Sequence, residues 1–282
     1  RGNHDRGLDA AALGIALATF AFAAYRALED RAVFLADGRF WLEAAILLAI
    51  MAGGYWINDV FDFKIDRVNK PGRAIVNAYL SRKKVITAYI VLNALALPAS
   101  LLLPPLLWVL NGGAALALLA YAAYFKRASV IGNLIVATLT SAVVLAGALL
   151  YGLKLSLGWA MVLAFGITFL REVTKDIEDM KGDMLFALRT LPIQVGLRSA
   201  KRILAWAYGA VMLAAQGPWV LELALGRPFP WAYVAASVVL VQVPLLLTAR
   251  AMQRAVRPRA FGRQSAALKR IIAGGLLSLL LL

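Results

Sequence analysis

Long apolar stretches alternate with short polar segments along the whole chain. An α-helix needs about 20 apolar residues to cross roughly 30 Å of hydrocarbon, and nine stretches approach that length. They are residues 8–28, 38–58, 84–103, 106–125, 130–152, 158–176, 203–224, 229–249 and 265–282. No linker or low-complexity tract separates them, so we expect residues 1–282 to form one transmembrane domain, an all-α bundle of about nine helices.

The composition agrees with a membrane environment. Of the 282 residues, 62% are hydrophobic and the mean hydropathy is +0.76, whereas soluble domains contain about 45–50% apolar residues. The opening residues, RGNHDRG, are expected to form only a juxtamembrane tail. We therefore predict a multi-pass protein of the cell membrane, in contact with membrane lipids.

The basic residues indicate how the chain is oriented. The formal net charge is +15, and with nine spans 25 of the 30 Lys and Arg residues fall on the face that holds the N-terminus and the connections after spans 2, 4, 6 and 8. Because cytoplasmic loops are enriched in Lys and Arg, this face is predicted to be cytoplasmic. Anionic headgroups explain most of these cations, so we expect no nucleic-acid partner. Nothing in the sequence indicates an obligate protein partner.

Few side chains are available for chemistry. Cysteine is absent, which excludes disulfides, zinc–thiolate sites and cysteine nucleophiles. The one histidine, His4, lies in the N-terminal tail, so histidine-based triads are excluded as well. Any reaction must use carboxylates, amides, hydroxyls and cations.

Two acidic triplets share the same spacing. They are Asp59, Asp62 and Asp66 in NDVFDFKIDR, and Asp176, Asp179 and Asp183 in KDIEDMKGD. On a helix, offsets of three and seven residues place the carboxylates on one face. A single triplet is more often a solvated surface or an ion pair, but a matched second copy on the same predicted face favours a functional site. Like charges near a membrane repel one another and are costly to desolvate, so a bound cation is expected.

Oxygen ligands without sulfur or imidazole suit a hard cation. Mg²⁺ takes a few carboxylates and completes its shell with water and substrate phosphate, and Asn58 adds an amide oxygen one turn before Asp62. Two such arms facing each other would hold two or more Mg²⁺ ions and, through them, a diphosphate. Basic residues accompany the triplets: Arg67, Lys70 and Arg73 follow the first, Lys175 and Lys181 lie within the second, and Lys126 and Arg127 lie between spans 4 and 5.

The two motifs resemble those of a known enzyme family. NDVFDFKIDRVNKPGR is similar to the NDxxDxxxD motif of the UbiA superfamily of intramembrane prenyltransferases, and KDIEDMKGD is similar to its second, DxxxD-type motif. The order of the motifs and the nine-helix layout agree over essentially the whole chain. The resemblance implies a bundle with a central cavity and a groove for the isoprenyl tail that opens sideways to lipid.

The resemblance also implies roles for individual residues. Mg²⁺ and the diphosphate would be held by Asn58, Asp59, Asp62, Asp66, Asp176, Asp179 and Asp183, of which Asp62, Asp66, Asp176 and Asp179 are the candidate catalytic residues. Candidates for contacting the substrate diphosphate are Arg67, Arg73, Lys126, Arg127, Lys175 and Tyr124. Tyr124 is included because the face of an aromatic ring stabilises nearby positive charge, with interface or bundle packing as its alternative role. For the cations, membrane topology is the alternative explanation.

Within the superfamily, the second motif and the following RTLPIQVG are similar to the archaeal ether-lipid branch, digeranylgeranylglyceryl phosphate synthase. The similarity implies Mg²⁺-dependent transfer of a geranylgeranyl group from an isoprenyl diphosphate donor to the hydroxyl of geranylgeranylglyceryl phosphate. Arg67, Lys126 and Arg127 are candidates for binding the acceptor phosphate. The chain departs from that branch at residues 74–78, where a P-I-P-S-G-like run is usual, and at Ala187, where glycine is usual.

Other functions are compatible with the same residues. The acceptor could instead be aromatic, such as 4-hydroxybenzoate or a naphthoate in quinone biosynthesis, because no sequence spacing reveals it. A cation transporter would place carboxylates near mid-membrane, whereas these triplets lie at span ends among many cations. CDP-alcohol phosphotransferases carry a D-G-x-x-A-R signature, which this chain lacks.

Overall fold

Eleven α-helices form the bulk of the molecule. The structure is a computed structural model that describes residues 10–29, 32–69 and 80–282. Its helices are α1 (Ala10–Ala27), α2 (Gly38–Asn69), α3 (Arg82–Ser100), α4 (Pro105–Ala123), α5 (Ser129–Tyr151), α6 (Leu155–Leu185), α7 (Leu191–Ala214), α8 (Gly217–Ala224), α9 (Trp231–Ser237), α10 (Val243–Arg254) and α11 (Pro258–Leu279). Short 3₁₀ turns at Ala32–Ala36 and Phe125–Arg127 precede α2 and α5, and a π-helical turn at Val238–Gln242 joins α9 to α10.

These helices make nine spans within the described residues. Only Ala215 and Gln216 separate α7 from α8, and α9 runs through the π turn into α10, so each pair forms one span. Six spans are long and apolar enough to cross a membrane by length and composition, and α1 is a shorter apolar helix. The all-α, multi-pass fold predicted from the hydropathy pattern is therefore confirmed.

Two helices extend well beyond their predicted spans. The hydropathy pattern ends the second span at residue 58 and the sixth at residue 176, but α2 continues to Asn69 and α6 to Leu185. Span ends at residues 58 and 176 would place most of each acidic motif in a loop on the predicted cytoplasmic side. The structure makes both motifs helical instead, so this expectation of motif-bearing loops is wrong. Lysine, arginine and glutamate have helix propensities close to that of leucine, so a charged segment can continue a helix.

Two apolar clusters fill the interior. One packs α6, α7, α9, α10 and α11 around large buried side chains such as Tyr208, Tyr233 and Phe261. The other packs α2, α3 and α4 around Phe40 and Leu107. α1 and α5 contribute to both clusters, so they join the two halves of the bundle.

Candidate active site

A cavity of about 230 Å³ lies at the centre of the bundle, where α1, α2, α4, α5, α6 and α11 meet. The first four of these helices contribute mainly apolar side chains, such as Leu47, Leu118 and Val143. The charged side chains of the wall come from α6 and α11 and are Arg171, Glu172, Lys175 and Lys269. A wall that is apolar in one part and charged in another fits a ligand with a charged head and a hydrocarbon tail.

The first acidic motif continues α2 outward from the cavity wall. Gly54 allows α2 to approach α4, because a Cβ at this position would lie 2.8 Å from a leucine methyl group of α4. One turn later Asn58 lines the cavity, and its Nδ2 donates a hydrogen bond to Asp62 Oδ2 at 2.5 Å. Asp62 is 3% exposed, whereas Asp59 and Asp66 are half-buried. The motif thus places a buried carboxylate one turn beyond the cavity.

Lys126 is the cation that pairs with this motif. Its ammonium group contacts the Asp62 carboxylate. The turn that carries Lys126 sits tightly on α5, because a Cβ at Gly132 would lie 2.8 Å from the Phe125 carbonyl oxygen. Burial lowers the pKa of Lys126, but the Asp62 carboxylate outweighs burial and the net pKa lies above the ordinary lysine value. Lys126 therefore stays protonated and supplies positive charge to the first triplet.

The second acidic motif lies on α6 and has different partners. Asn133 Nδ2, on α5, donates a hydrogen bond to Asp176 Oδ2 at 2.8 Å. One turn earlier, Glu172 forms an ion pair with Arg171 and lies 3.5 Å from Lys175 Nζ. The α6 arm therefore combines an ion network at the cavity wall with an aspartate that is bonded by a neutral amide.

The two arms face each other. α2 packs against α6, and the charges of the two motifs interact across this contact. Asp62 lies close enough to Asp183 for their charges to repel, while Lys175 attracts Asp59. The opposed arrangement that the paired motifs predict is therefore present in the structure.

Hydrogen bonds fasten the arms and the neighbouring turns together. The Gly182 N–H donates to Asn69 Oδ1 at 2.7 Å, which ties the end of α6 to the end of α2. The Ser129 N–H donates to the Arg189 carbonyl at 2.8 Å, and the Arg189 N–H donates to the Arg127 carbonyl at 3.3 Å. These bonds join the turn before α5 to the segment after α6, so both arms and the basic turn form one unit.

The oxygen donors suit a hard divalent cation. Among residues 10–29, 32–69 and 80–282, no group of three or more acidic or histidine side chains is gathered closely enough to hold a metal ion alone. However, Asn58 Oδ1 is buried without a hydrogen-bond partner, and the Lys126 ammonium already occupies a cation's position beside Asp62. Mg²⁺ binds through one or two carboxylates together with water and substrate phosphate, so this open donor set fits it.

Some of the predicted site residues lie on the arms or beside them. Lys175 lines the cavity, and Lys126 pairs with the first motif. Asp66 and Asp179 are half-buried on their helices, and the charge of Asp179 acts on Lys175. Arg127 is exposed next to Lys126.

Tyr124 and Arg67 lie away from the cavity. Tyr124, the residue after the last residue of α4, is 73% exposed, and Tyr121, one turn earlier, lines the cavity instead. The change from helical backbone at Tyr124 explains why its ring leaves the cavity face. Arg67 is exposed, with its Cζ 4.3 Å from the centroid of the Phe63 ring. Arg73 lies outside the described residues.

No sequence motif predicts four of the polar residues of the site. They are Asn133, Arg171, Glu172 and Lys269. Glu172 precedes Asp176 by one helical turn, and this spacing is a signal that would have placed it beside the second motif. Asn133 and Lys269 lie on helices without a motif, so only the tertiary structure brings them to the site.

A membrane-embedded bundle with two acidic helical arms beside a central cavity is the arrangement expected of an intramembrane prenyltransferase. The model of the UbiA prenyltransferase family matches residues 11–266. The chain therefore belongs to the UbiA prenyltransferase family, and the family predicted from the two motifs is confirmed.

Individual proteins extend the comparison. The chain is 34% identical over 183 residues to digeranylgeranylglyceryl phosphate synthase of Saccharolobus solfataricus, an alignment covering 60% of this chain and 64% of that protein, just under two thirds of its length. A solved structure concerned with the biosynthesis of digeranylgeranylglyceryl phosphate synthase in membranes matches with a TM-score of 0.72 and 23% identity, over 94% of this chain and 91% of that chain. A UbiA homologue from Archaeoglobus fulgidus, bound to DMAPP and Mg²⁺, matches with a TM-score of 0.66 and 17% identity over 100% of both chains. These structures share the fold of this protein.

Proposed function

We propose that this protein transfers a geranylgeranyl group from its diphosphate to the free hydroxyl of geranylgeranylglyceryl phosphate. The observation that carries the proposal is the continuity between the arms and the cavity, because Asn58 of the first motif and Lys175 beside the second both line it. A diphosphate held by the arms would direct its isoprenyl chain among the apolar side chains of the wall. The similarity to the Saccharolobus synthase supports this donor and acceptor.

Mg²⁺ is the cofactor in this proposal. The Archaeoglobus homologue of the same fold is bound to DMAPP and Mg²⁺, and the oxygen donors of the arms suit the same ion. The residues that would hold two or more ions are Asn58, Asp59, Asp62, Asp66, Asp176, Asp179 and Asp183. When bound, Mg²⁺ neutralises the negative charge that develops on the leaving diphosphate.

The reaction exchanges one carbon–oxygen bond for another. The bond between the allylic C1 and the diphosphate breaks, and both electrons leave with the diphosphate. The acceptor hydroxyl oxygen then bonds to C1 and loses its proton to a carboxylate of the second motif. Lys175 stabilises the departing negative charge from the cavity wall. Apolar side chains such as Leu118 and Val143 exclude water that would otherwise capture the carbocation.

We place the diphosphate site on the cytoplasmic side of the membrane. The arms, the Lys126 turn and the segment after α6 lie at the helix ends where most of the basic residues of the chain are found. The enrichment of Lys and Arg in cytoplasmic loops supports this orientation.

Product identification tests the proposed reaction. The purified protein is incubated in detergent with Mg²⁺ and geranylgeranyl diphosphate, together with geranylgeranylglyceryl phosphate, 4-hydroxybenzoate and a naphthoate as competing acceptors. We expect mass spectrometry to show prenylation of the glyceryl phosphate lipid, and we expect chelation of Mg²⁺ to abolish it. Exclusive labelling of an aromatic acceptor would overturn the choice of acceptor. Failure to label any of the three would overturn the proposed function.

A further inference from the structure

We infer that Arg171, Lys269 and Thr168 bind the phosphate group of the acceptor inside the central cavity. This role rests on the proposed function, because it assigns part of the same cavity to the second substrate. The three residues lie on two helices that pack along each other, α6 and α11. All three line the cavity.

On α6, two cations of the cavity wall share one carboxylate. The cations are Arg171 and Lys175, and the carboxylate is Glu172. Glu172 is shared, because it contacts Arg171 and lies 3.5 Å from Lys175 Nζ. Cations at membrane depth are costly unless negative charge accompanies them. An anionic ligand in the cavity would provide that charge.

Two donors beside these cations have no hydrogen-bond partner. They are Arg171 Nε and Thr168 Oγ1, and both atoms are buried. Thr168, Arg171 and Lys175 follow at intervals of three and four residues, so they share one face of α6. A phosphate monoester has several strong acceptor oxygens for a guanidinium, a hydroxyl and an ammonium group.

The depth of these residues distinguishes them from the acidic arm. Arg171 lies about 12 Å from Asp179 and about 6 Å from Lys175 along the axis of α6. A donor held by the arms has its reactive carbon on the cavity side of the diphosphate, so the acceptor hydroxyl must reach it from within the cavity. In geranylgeranylglyceryl phosphate only two carbon atoms separate the free hydroxyl from the phosphate ester oxygen. Arg171, roughly 8 Å deeper along α6 than Asp176, is therefore suitably placed for the acceptor phosphate.

The basic residues predicted from the sequence for this role are less suitable. Arg67 and Arg127 are exposed and do not line the cavity, and Lys126 pairs with Asp62. An acceptor phosphate bound to the exposed arginines would lie outside the cavity into which the prenyl chain of the donor extends.

Steady-state kinetics with matched acceptors test this site. The variants are Arg171→Gln and Lys269→Gln, and Arg202→Gln, an exposed arginine on α7, is the control. Each is assayed with geranylgeranylglyceryl phosphate and with geranylgeranylglycerol, which lacks the phosphate. We expect the two test variants to raise KM for the phosphorylated acceptor about tenfold or more. The ratio of kcat/KM for the phosphorylated acceptor to kcat/KM for geranylgeranylglycerol should fall by a similar factor. The KM for geranylgeranyl diphosphate should change by less than about twofold.

The possible outcomes distinguish a failure of the proposed function from a failure of the acceptor-phosphate site. If the wild-type protein prenylates neither acceptor, the proposed function fails. If the wild-type protein prefers the phosphorylated acceptor but both variants keep that preference, or raise KM for the donor instead, the acceptor site is wrong while the function stands. Arg171→Gln also removes a partner of Glu172, so Lys269→Gln provides an independent test from α11. Partial recovery of the preference in Arg171→Lys would support a role for positive charge at this position.

Discussion

The two acidic arms have the same spacing but different electrostatic partners. On α2, Asp62 is buried, accepts a hydrogen bond from Asn58 and pairs with the ammonium of Lys126. On α6, Asp176 accepts a hydrogen bond from Asn133, a neutral amide. The α2 arm therefore carries its own counterion at Asp62, whereas the hydrogen-bond partner of Asp176 is neutral. The same spacing can thus be stabilised by an ion pair on one arm and by a neutral hydrogen bond on the other.

Loss of a carboxylate from either arm should have the largest effect. We expect Asp62→Asn and Asp176→Asn each to lower kcat/KM for prenyl transfer by about a hundredfold or more, because each would remove a proposed ligand of the Mg²⁺ that neutralises the leaving diphosphate. The control is Glu222→Gln, since Glu222 pairs with Arg227 in the segment around α8. Full activity in either aspartate variant would show that the arm carrying that aspartate is not part of the active site.

The same variants should differ in stability. Asp62→Asn leaves the Lys126 ammonium without its carboxylate and is expected to lower the free energy of unfolding by about 2 kcal/mol. Asp176→Asn keeps a polar partner for Asn133 and should have a smaller effect. Thermal unfolding in detergent measures both, and equal destabilisation would contradict the difference between the arms.

Lys126→Met tests whether the lysine competes with a metal. Without the ammonium, Asp62 is a buried carboxylate with no ion pair to Lys126, so the variant should unfold at a lower temperature than the wild type. Added Mg²⁺ should then stabilise the variant more than the wild type, because the ion no longer competes with the lysine. Arg127→Met, at the exposed neighbouring residue, is the matched control. Equal stabilisation of the variant and the wild type by Mg²⁺ would show that Lys126 does not occupy a cation's place.

Gly182→Ala tests the contact that ties the arms together. A Cβ at this position would come within 2.3 Å of Asn69 Oδ1, so the Gly182–Asn69 hydrogen bond should break. We expect an activity loss of about tenfold, corresponding to roughly 1.4 kcal/mol. Gly209→Ala on α7 is the control, because a Cβ placed there would meet no atom within 4 Å apart from its chain neighbours and the nearby backbone of its own helix. Wild-type activity in Gly182→Ala would mean that the arms do not depend on this contact.

Ala187→Gly should have the smallest effect and the opposite sign. Ala187 follows the α6 arm with φ of 53°, a left-handed conformation that costs a residue with a Cβ about 1 kcal/mol. Glycine should therefore stabilise the protein slightly and leave prenyl transfer unchanged. Ala207→Gly within α7 should instead destabilise the protein by about 1 kcal/mol. A lower unfolding temperature for Ala187→Gly would contradict the left-handed conformation at this residue.

Local sequence patterns predict much of this molecule. Apolar stretches identify nine spans because bilayer thickness fixes the length of a spanning helix. The spacing of the aspartates identifies both arms because a helix repeats every 3.6 residues. Ala187 stands where the similar branch usually has glycine, and its backbone has the left-handed conformation that glycine adopts most easily.

Contacts between segments that are distant in sequence are harder to predict from the sequence. The pairing of Lys126 with Asp62 depends on how the turn before α5 folds against α2. Asn133 and Lys269 come from helices that carry no motif, and Arg171 is indistinguishable in sequence from a cation that sets topology. The position of Tyr124 depends on the residue at which α4 ends, and helix ends are the part of a helix that hydropathy places least well.

We expect both arms together to hold a Mg²⁺-bound diphosphate. Binding of an unreactive thiolo analogue of geranylgeranyl diphosphate, measured by calorimetry with and without Mg²⁺ in the wild type, Asp62→Asn and Asp176→Asn, tests this directly. We predict that Mg²⁺ strengthens binding to the wild type and that either substitution weakens the Mg²⁺-dependent binding by about tenfold or more. Wild-type Mg²⁺-dependent affinity in either variant would show that the substituted arm does not hold the diphosphate.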